Sequence, residues 1–161
     1  MTGRLKAAAL FAAAALLSTT AACGSDQHRS SGADHDRDKE GLSAAADVST
    51  CSGDAQPAAT PYGAGFPGDW PFPPRTVVFH AEDRGSDGTI VTAVSSLGFR
   101  QVLRFLNHDV VAAGFRVEQG ETEAHDAEAE WRGDRFHGRW AIRESAGCAG
   151  DTVIQVLSAP Q

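Results

Sequence analysis

The chain has 161 residues, a formal net charge of −7 and only three cysteines. That length holds one modest core once terminal segments are set aside. With 21 acids against 14 bases, the charge has the wrong sign for binding duplex DNA or RNA, which calls for a basic patch.

The start of the chain has three parts. "MTGRLK" carries Arg4 and Lys6 and no acid, "AAALFAAAALLS" is an apolar run, and "TTAA" supplies small residues before Cys23. A positive stretch, a short apolar stretch and a small-residue cleavage region predict a secretory signal peptide over residues 1–22. The apolar run is well short of the roughly 20 residues of a membrane-spanning helix. "TAAC", Thr20 to Cys23, resembles the lipobox of bacterial lipoproteins, with Thr20 where that family prefers Leu. The resemblance implies cleavage before Cys23 and acylation of that cysteine with palmitate-type chains. The protein would then sit on the cell membrane, lipid-anchored and facing the extracytoplasmic side. Ordinary secretion with cleavage near Ala22 is the rival. No twin-arginine pair is present, so general export is the expected route. The mature domain is acidic, which leaves the lipid to hold it on an anionic membrane.

Acylation of Cys23 leaves Cys51 and Cys148, which are expected to form one disulfide in an exported domain. Closing a loop of about 100 residues stabilises a fold by up to roughly 4.7 kcal/mol on the chain-entropy model. The flanks "STCSGD" and "SAGCAGD" bring no His, Lys or Arg to activate a free thiol.

Residues 23–50 are polar, rich in Ser, Asp and Gly, and read as a flexible tether. His28 and His35 lie there among alternating charges, a pattern of solvated linkers more than of metal sites. Residues 51–75 form a different segment, containing "PAATPYGAGFPGDWPFPP". Its Pro and Gly forbid a long helix or a central strand. Tyr62, Phe66, Trp70 and Phe72 are too apolar for a plain linker. Extended chain lying on a core, clipped at Cys51, satisfies both facts. Phe66, Trp70 and Phe72 become a candidate partner-contact surface if they are not buried as a latch. "GAGFPG" matches G-x-G-x-x-G, but no strand precedes it and no helix follows.

Residues 76–161 read as a small α+β domain. "TVVFHAE" and "TIVTAVS" are rich in strand formers and flank the turn "DRGSDG", so they predict a hairpin. That turn is not a calcium loop, because Gly85 replaces a ligand and Val94 stands where the bidentate Glu belongs. "SSLGFRQVLRFLNHDVVAAGF" predicts a helix capped by Ser95 or Ser96. Phe99, Val102, Leu103, Leu106, Val110 and Val111 form its apolar stripe, and Gly114 its stop. Period-two alternation returns in "FRVEQGETEAHDAEAEW" and "RFHGRWAIRE" around a Gly133-Asp134 turn. That register sets Glu128 opposite Arg139 and Ala127 opposite Trp140. It puts Trp131, Ala129, Ala127, His125, Trp140 and Ile142 on an apolar face, and Asp126, Glu128 and Glu130 on a solvent face beside Arg139 and Arg143. "TVIQVLSA" is the last strand. The order β-β-α-β-β-β predicts an antiparallel sheet with one helix on a face.

The exported start, the Pro-rich "WPFPP", the hairpin and the helix ending in "AAGF" resemble small actinobacterial-type lipoproteins of unknown function. That resemblance carries no catalytic residues. The sequence has no H-E-x-x-H and no G-x-S-x-G, and it points to no metal or cofactor. "RGD" at 132–134 matches an adhesion tripeptide, but a hairpin tip calls for such residues anyway. The expected role is a non-catalytic binding or accessory module of the cell envelope, meeting an envelope protein, a polymer or a small ligand. Two alternatives stand beside it: a small secreted hydrolase or lyase using His125 with a nearby carboxylate, and a structural envelope protein.

Overall fold

The computed structural model describes residues 50–161. The signal peptide, Cys23 and residues 24–49 of the tether lie outside them. Along the chain come β1 (Thr76–Asp83), β2 (Thr89–Ser95), α1 (Phe99–Ala112), β3 (Arg116–Thr122), β4 (Asp126–Arg132), β5 (Phe136–Glu144) and β6 (Thr152–Pro160). The strands make one six-stranded sheet in the order β1-β2-β6-β5-β4-β3. Every neighbouring pair is antiparallel. With one α-helix beside this sheet among the described residues, this is an α+β fold, as expected.

Alternation decides the faces. Val91 and Ala93 of β2, Ile154 and Val156 of β6, Trp140 and Ile142 of β5, and Ala127, Ala129 and Trp131 of β4 all join one buried cluster with the helix. Residues between them point to the reverse face. There Ala141 and Val153 form a separate small buried pair.

The helix buries Phe99, Val102, Leu106 and Val110, at spacings of three and four. The apolar stripe is narrower than the sequence suggested, since Val111 is 47% exposed. The serine cap is also corrected. The N-cap is Gly98, with no side-chain cap bond. Ser95 ends β2 instead, and its Oγ accepts the Leu97 N–H at 3.2 Å. The stop is as expected. Gly114 has φ +99°. Its N–H donates to Val111 O, and the Phe115 N–H donates to Val110 O. Those two bonds are a Schellman motif, and only glycine takes that φ without steric cost.

Two local differences matter for the site. The acidic stretch was read as one strand, but it folds back at 123–125 and becomes β3 and β4. The Thr122↔Ala127 pair and a Glu123 N–H bond to Asp126 O at 2.8 Å close that turn. The β4–β5 turn is longer than two residues. Arg132 pairs with His137, and the Gly133 N–H donates to Phe136 O at 2.8 Å. Gln161 braces this tip, its Nε2 donating to Gly133 O at 2.8 Å and Phe136 O at 3.0 Å. The register therefore moves by two residues from the expected one: Glu128 pairs with Ala141 and Ala129 with Trp140. A shift of two keeps every side chain on its face, which is why the face assignment survived the wrong turn.

Candidate functional site: an aromatic strap and a charged face

Residues 51–75 run as an extended strap along the core. The Ala58 N–H donates to Val78 O of β1 at 2.8 Å. Beyond it, Tyr62, Phe66, Trp70 and Phe72 pack edge-on or stacked on one another. Trp70 then seats on Trp131 at 4.5 Å and on Phe115 at 4.9 Å between ring centroids. The aromatics join the sheet's main cluster. Phe66 and Trp70 are each 6% exposed, and Phe72 is half-buried. The contact surface expected at Phe66, Trp70 and Phe72 was conditional on exposure; Phe66 and Trp70 lie in the core, and Phe72 keeps part of its ring at the surface. The rings belong to the same buried cluster as the apolar side of α1.

The strap is clipped at its start. Cys51 and Cys148 form the expected disulfide across a sequence separation of 97, with Cα atoms 5.5 Å apart. Each cysteine begins a tight turn. The Asp54 and Ala55 N–H groups donate to Cys51 O, and the Asp151 N–H donates to Cys148 O. Asp151 ties the turns together a second time. Its Oδ2 accepts the Ser52 N–H at 2.7 Å, and its Oδ1 accepts the Ser52 hydroxyl at 3.0 Å. Neither Asp151 nor Ser52 was singled out in the sequence. The available signal was an acid three residues after a cysteine, in "CAGD".

The acids of β4 and the bases of β5 meet on the reverse face. Arg143 Nη2 donates to Asp126 Oδ2 at 3.1 Å. Arg139 Nη1 lies 3.7 Å from Glu128 Oε2, reaching it diagonally from opposite Glu130. Glu128 was expected on the solvent face, yet it is only 8% exposed. Its Cα partners are Glu121 on β3 and Ala141 on β5, so it sits inside the sheet rather than at a rim. A shallow depression, open to solvent, is lined there by Glu121, Glu123, Asp126, Glu128 and Arg143. Carboxylates outnumber guanidinium groups in it.

His125 is the largest correction. It was read as facing inward beside Trp140 and Ile142. The strand breaks just before β4, so His125 falls in the 123–125 turn. Its side chain is 76% exposed, and Nδ1 lies 2.8 Å from Glu144 Oε2. The histidine does have its nearby carboxylate, but outside the apolar face. "RGD" is built into the hairpin: Arg132 pairs with Glu118 at 3.4 Å, and the Gly133 backbone closes the tip. Among the described residues, no helix is long and apolar enough to cross a membrane.

No family model matches this chain, and no similar curated protein or solved structure was found.

Proposed function

We propose that this chain is a lipid-anchored extracytoplasmic protein whose folded domain is a non-catalytic binding or accessory module of the cell envelope. The observation that carries the reading is the Cys51–Cys148 disulfide. A disulfide fits an oxidising, exported setting. It also uses two of the three cysteines and leaves Cys23, at the end of a signal-like stretch, for the lipid. Residues 24–49 then span from anchor to domain. A tethered module gains effective concentration for a partner on the same surface. The partner is an envelope protein, polymer or small ligand, and a structural envelope role is the related alternative.

The test replaces Cys23 with Ala and follows detergent-phase partitioning of the exported chain. The parent should enter the detergent phase and the variant the aqueous phase. A variant as membrane-bound as the parent would refute the anchor. Cross-linking and pull-down from intact cells then looks for the partner.

A second reading, a small hydrolase or lyase, draws on the 2.8 Å contact between His125 and Glu144. A carboxylate on Nδ1 orients an imidazole as a base. Against it stands exposure, because water competes for an open histidine. A turnover abolished by His125→Ala would favour this reading over the first.

A further inference from the structure

The clip at the start of the strap holds more than a disulfide. Cys51, Cys148 and Asp151 each offer a ligand atom, and the three lie within 4.8 Å of one another. Among the described residues, this is the one group of three His, Cys, Asp or Glu side chains gathered closely enough to hold a metal ion. All three residues are half-buried. The carboxylate is aimed by Ser52, which donates from its backbone N–H at 2.7 Å and its hydroxyl at 3.0 Å. Such outer hydrogen bonds are how proteins fix the direction of a ligating group. Each cysteine also begins a turn closed by backbone hydrogen bonds to its own carbonyl, in addition to the S–S link.

The geometry points to a redox-gated site for a borderline-soft divalent cation, of the Zn²⁺ class, made by Cys51, Cys148 and Asp151. While the disulfide is intact the sulfurs are poor ligands. A dithiol reductant gives two electrons and two protons to the bond, becomes a disulfide itself, and leaves two thiols. Each thiol loses its proton to solvent as its sulfur binds the ion. Two thiolates and one carboxylate make three protein ligands, and water completes a tetrahedron. That donor set favours Zn²⁺ over Mg²⁺ or Ca²⁺, which prefer all-oxygen shells. No Lys, Arg or His flanks either cysteine in sequence to oppose the cation. The ion would re-tie the strap in the state in which the covalent tie is open.

The experiment uses the full chain carrying Cys23→Ser, so that only the two clip thiols remain. A phosphine reduces the disulfide, taking up a water oxygen to become the phosphine oxide, and does not compete as a dithiol chelator. Co²⁺ alone is then titrated under anaerobic conditions. The reduced chain should bind one Co²⁺ with sulfur-to-metal charge-transfer absorption and the intense visible bands of a tetrahedral ion. Zn²⁺ should displace it. The oxidised chain should show neither band. Asp151→Asn should weaken binding at least about tenfold, and Ser52→Ala by about tenfold, the usual scale for lost ligand support. Asp151→Cys should bind more tightly, with stronger charge-transfer absorption from a third sulfur, and serves where the Asn variant fails to fold. The proposal is overturned if the reduced chain gives no charge-transfer band. It is equally overturned if the Co²⁺ spectrum is six-coordinate, or if Asp151→Asn binds as tightly as the parent. A reduced chain that unfolds and is not restored by Zn²⁺, followed by far-ultraviolet circular dichroism, also overturns it.

Discussion

Removing the Trp70 ring tests whether the strap belongs to the core or only lies on it. Trp70 is 6% exposed and packs on Trp131 and Phe115 within 5 Å of each centroid. Truncating a buried Trp to Ala costs about 3–5 kcal/mol, from lost transfer free energy and the cavity left behind. Small domains have only about 5–15 kcal/mol of stability in total. Trp70→Ala should therefore shift the urea midpoint far, yet leave a folded protein while the disulfide is intact. The clip contributes on a similar scale. For a loop of 97 residues, the chain-entropy model gives up to about 4.7 kcal/mol.

The informative quantity is the coupling between these two changes. If the disulfide acts only on the unfolded chain, the two losses add. The structure argues otherwise. Before Trp70, the strap's backbone meets β1 in the Ala58–Val78 bond. With Cys51 and Cys148 both replaced by Ser and no metal present, the strap's first half loses its clip and Phe66 loosens from the core. Trp70 is then partly exposed already, and its removal costs less. A double-mutant cycle by urea unfolding, read by far-ultraviolet circular dichroism, should give sub-additivity of about 1–2 kcal/mol, within the usual range for residues sharing partners. Additivity within about 0.5 kcal/mol would refute the reasoning.

Other positions give simpler expectations. Gly114→Ala places a Cβ at φ +99°, so it should cost about 1 kcal/mol in denaturant unfolding without changing the fold; a neutral result would count against the Schellman stop. Glu128→Ala should cost about 3 kcal/mol, because it takes a carboxylate away from the Arg139 guanidinium, whose side chain is only 13% exposed. The exposed neighbour Glu130→Ala should stay within about 0.5 kcal/mol, and equal losses at the two sites would contradict the burial difference.

Face and class were legible in the sequence because they depend on parity alone. Trp131, Ala129, Trp140 and Ile142 point to the core whether the hairpin turns in two residues or four. What depends on register or on one turn was not legible. The brace from Gln161 lies at the far end of the chain, and no local pattern announces that it holds the β4–β5 tip open. The reversal at 123–125 has no Gly or Pro to mark it, since "EAHD" alternates like the strands beside it. That reversal alone moves His125 from a predicted core position to the surface. Glu128 shows the same limit from the other side. Alternation predicts its face correctly, but burial on that face depends on β3 folding back to lie beside it.

The strap also explains how this sheet keeps its edges from pairing with other chains. A six-stranded open sheet presents two edge strands, here β1 and β3. Exposed edges with free backbone groups invite pairing between molecules. At β1, the strap bonds Val78 O through Ala58, and a register shift between Val78 and His80 further breaks the edge. At β3, the strand is interrupted by a register shift between Val117 and Gly120, and it carries Glu118 and Glu121. Bulges and charge both oppose adding another strand. The two edges are thus protected by different means, one by a covering segment and one by the strand's own sequence. Only the first depends on the clip at Cys51. Opening the clip therefore frees two things together, the aromatic seat at Trp70 and the β1 edge, while the β3 edge stays guarded.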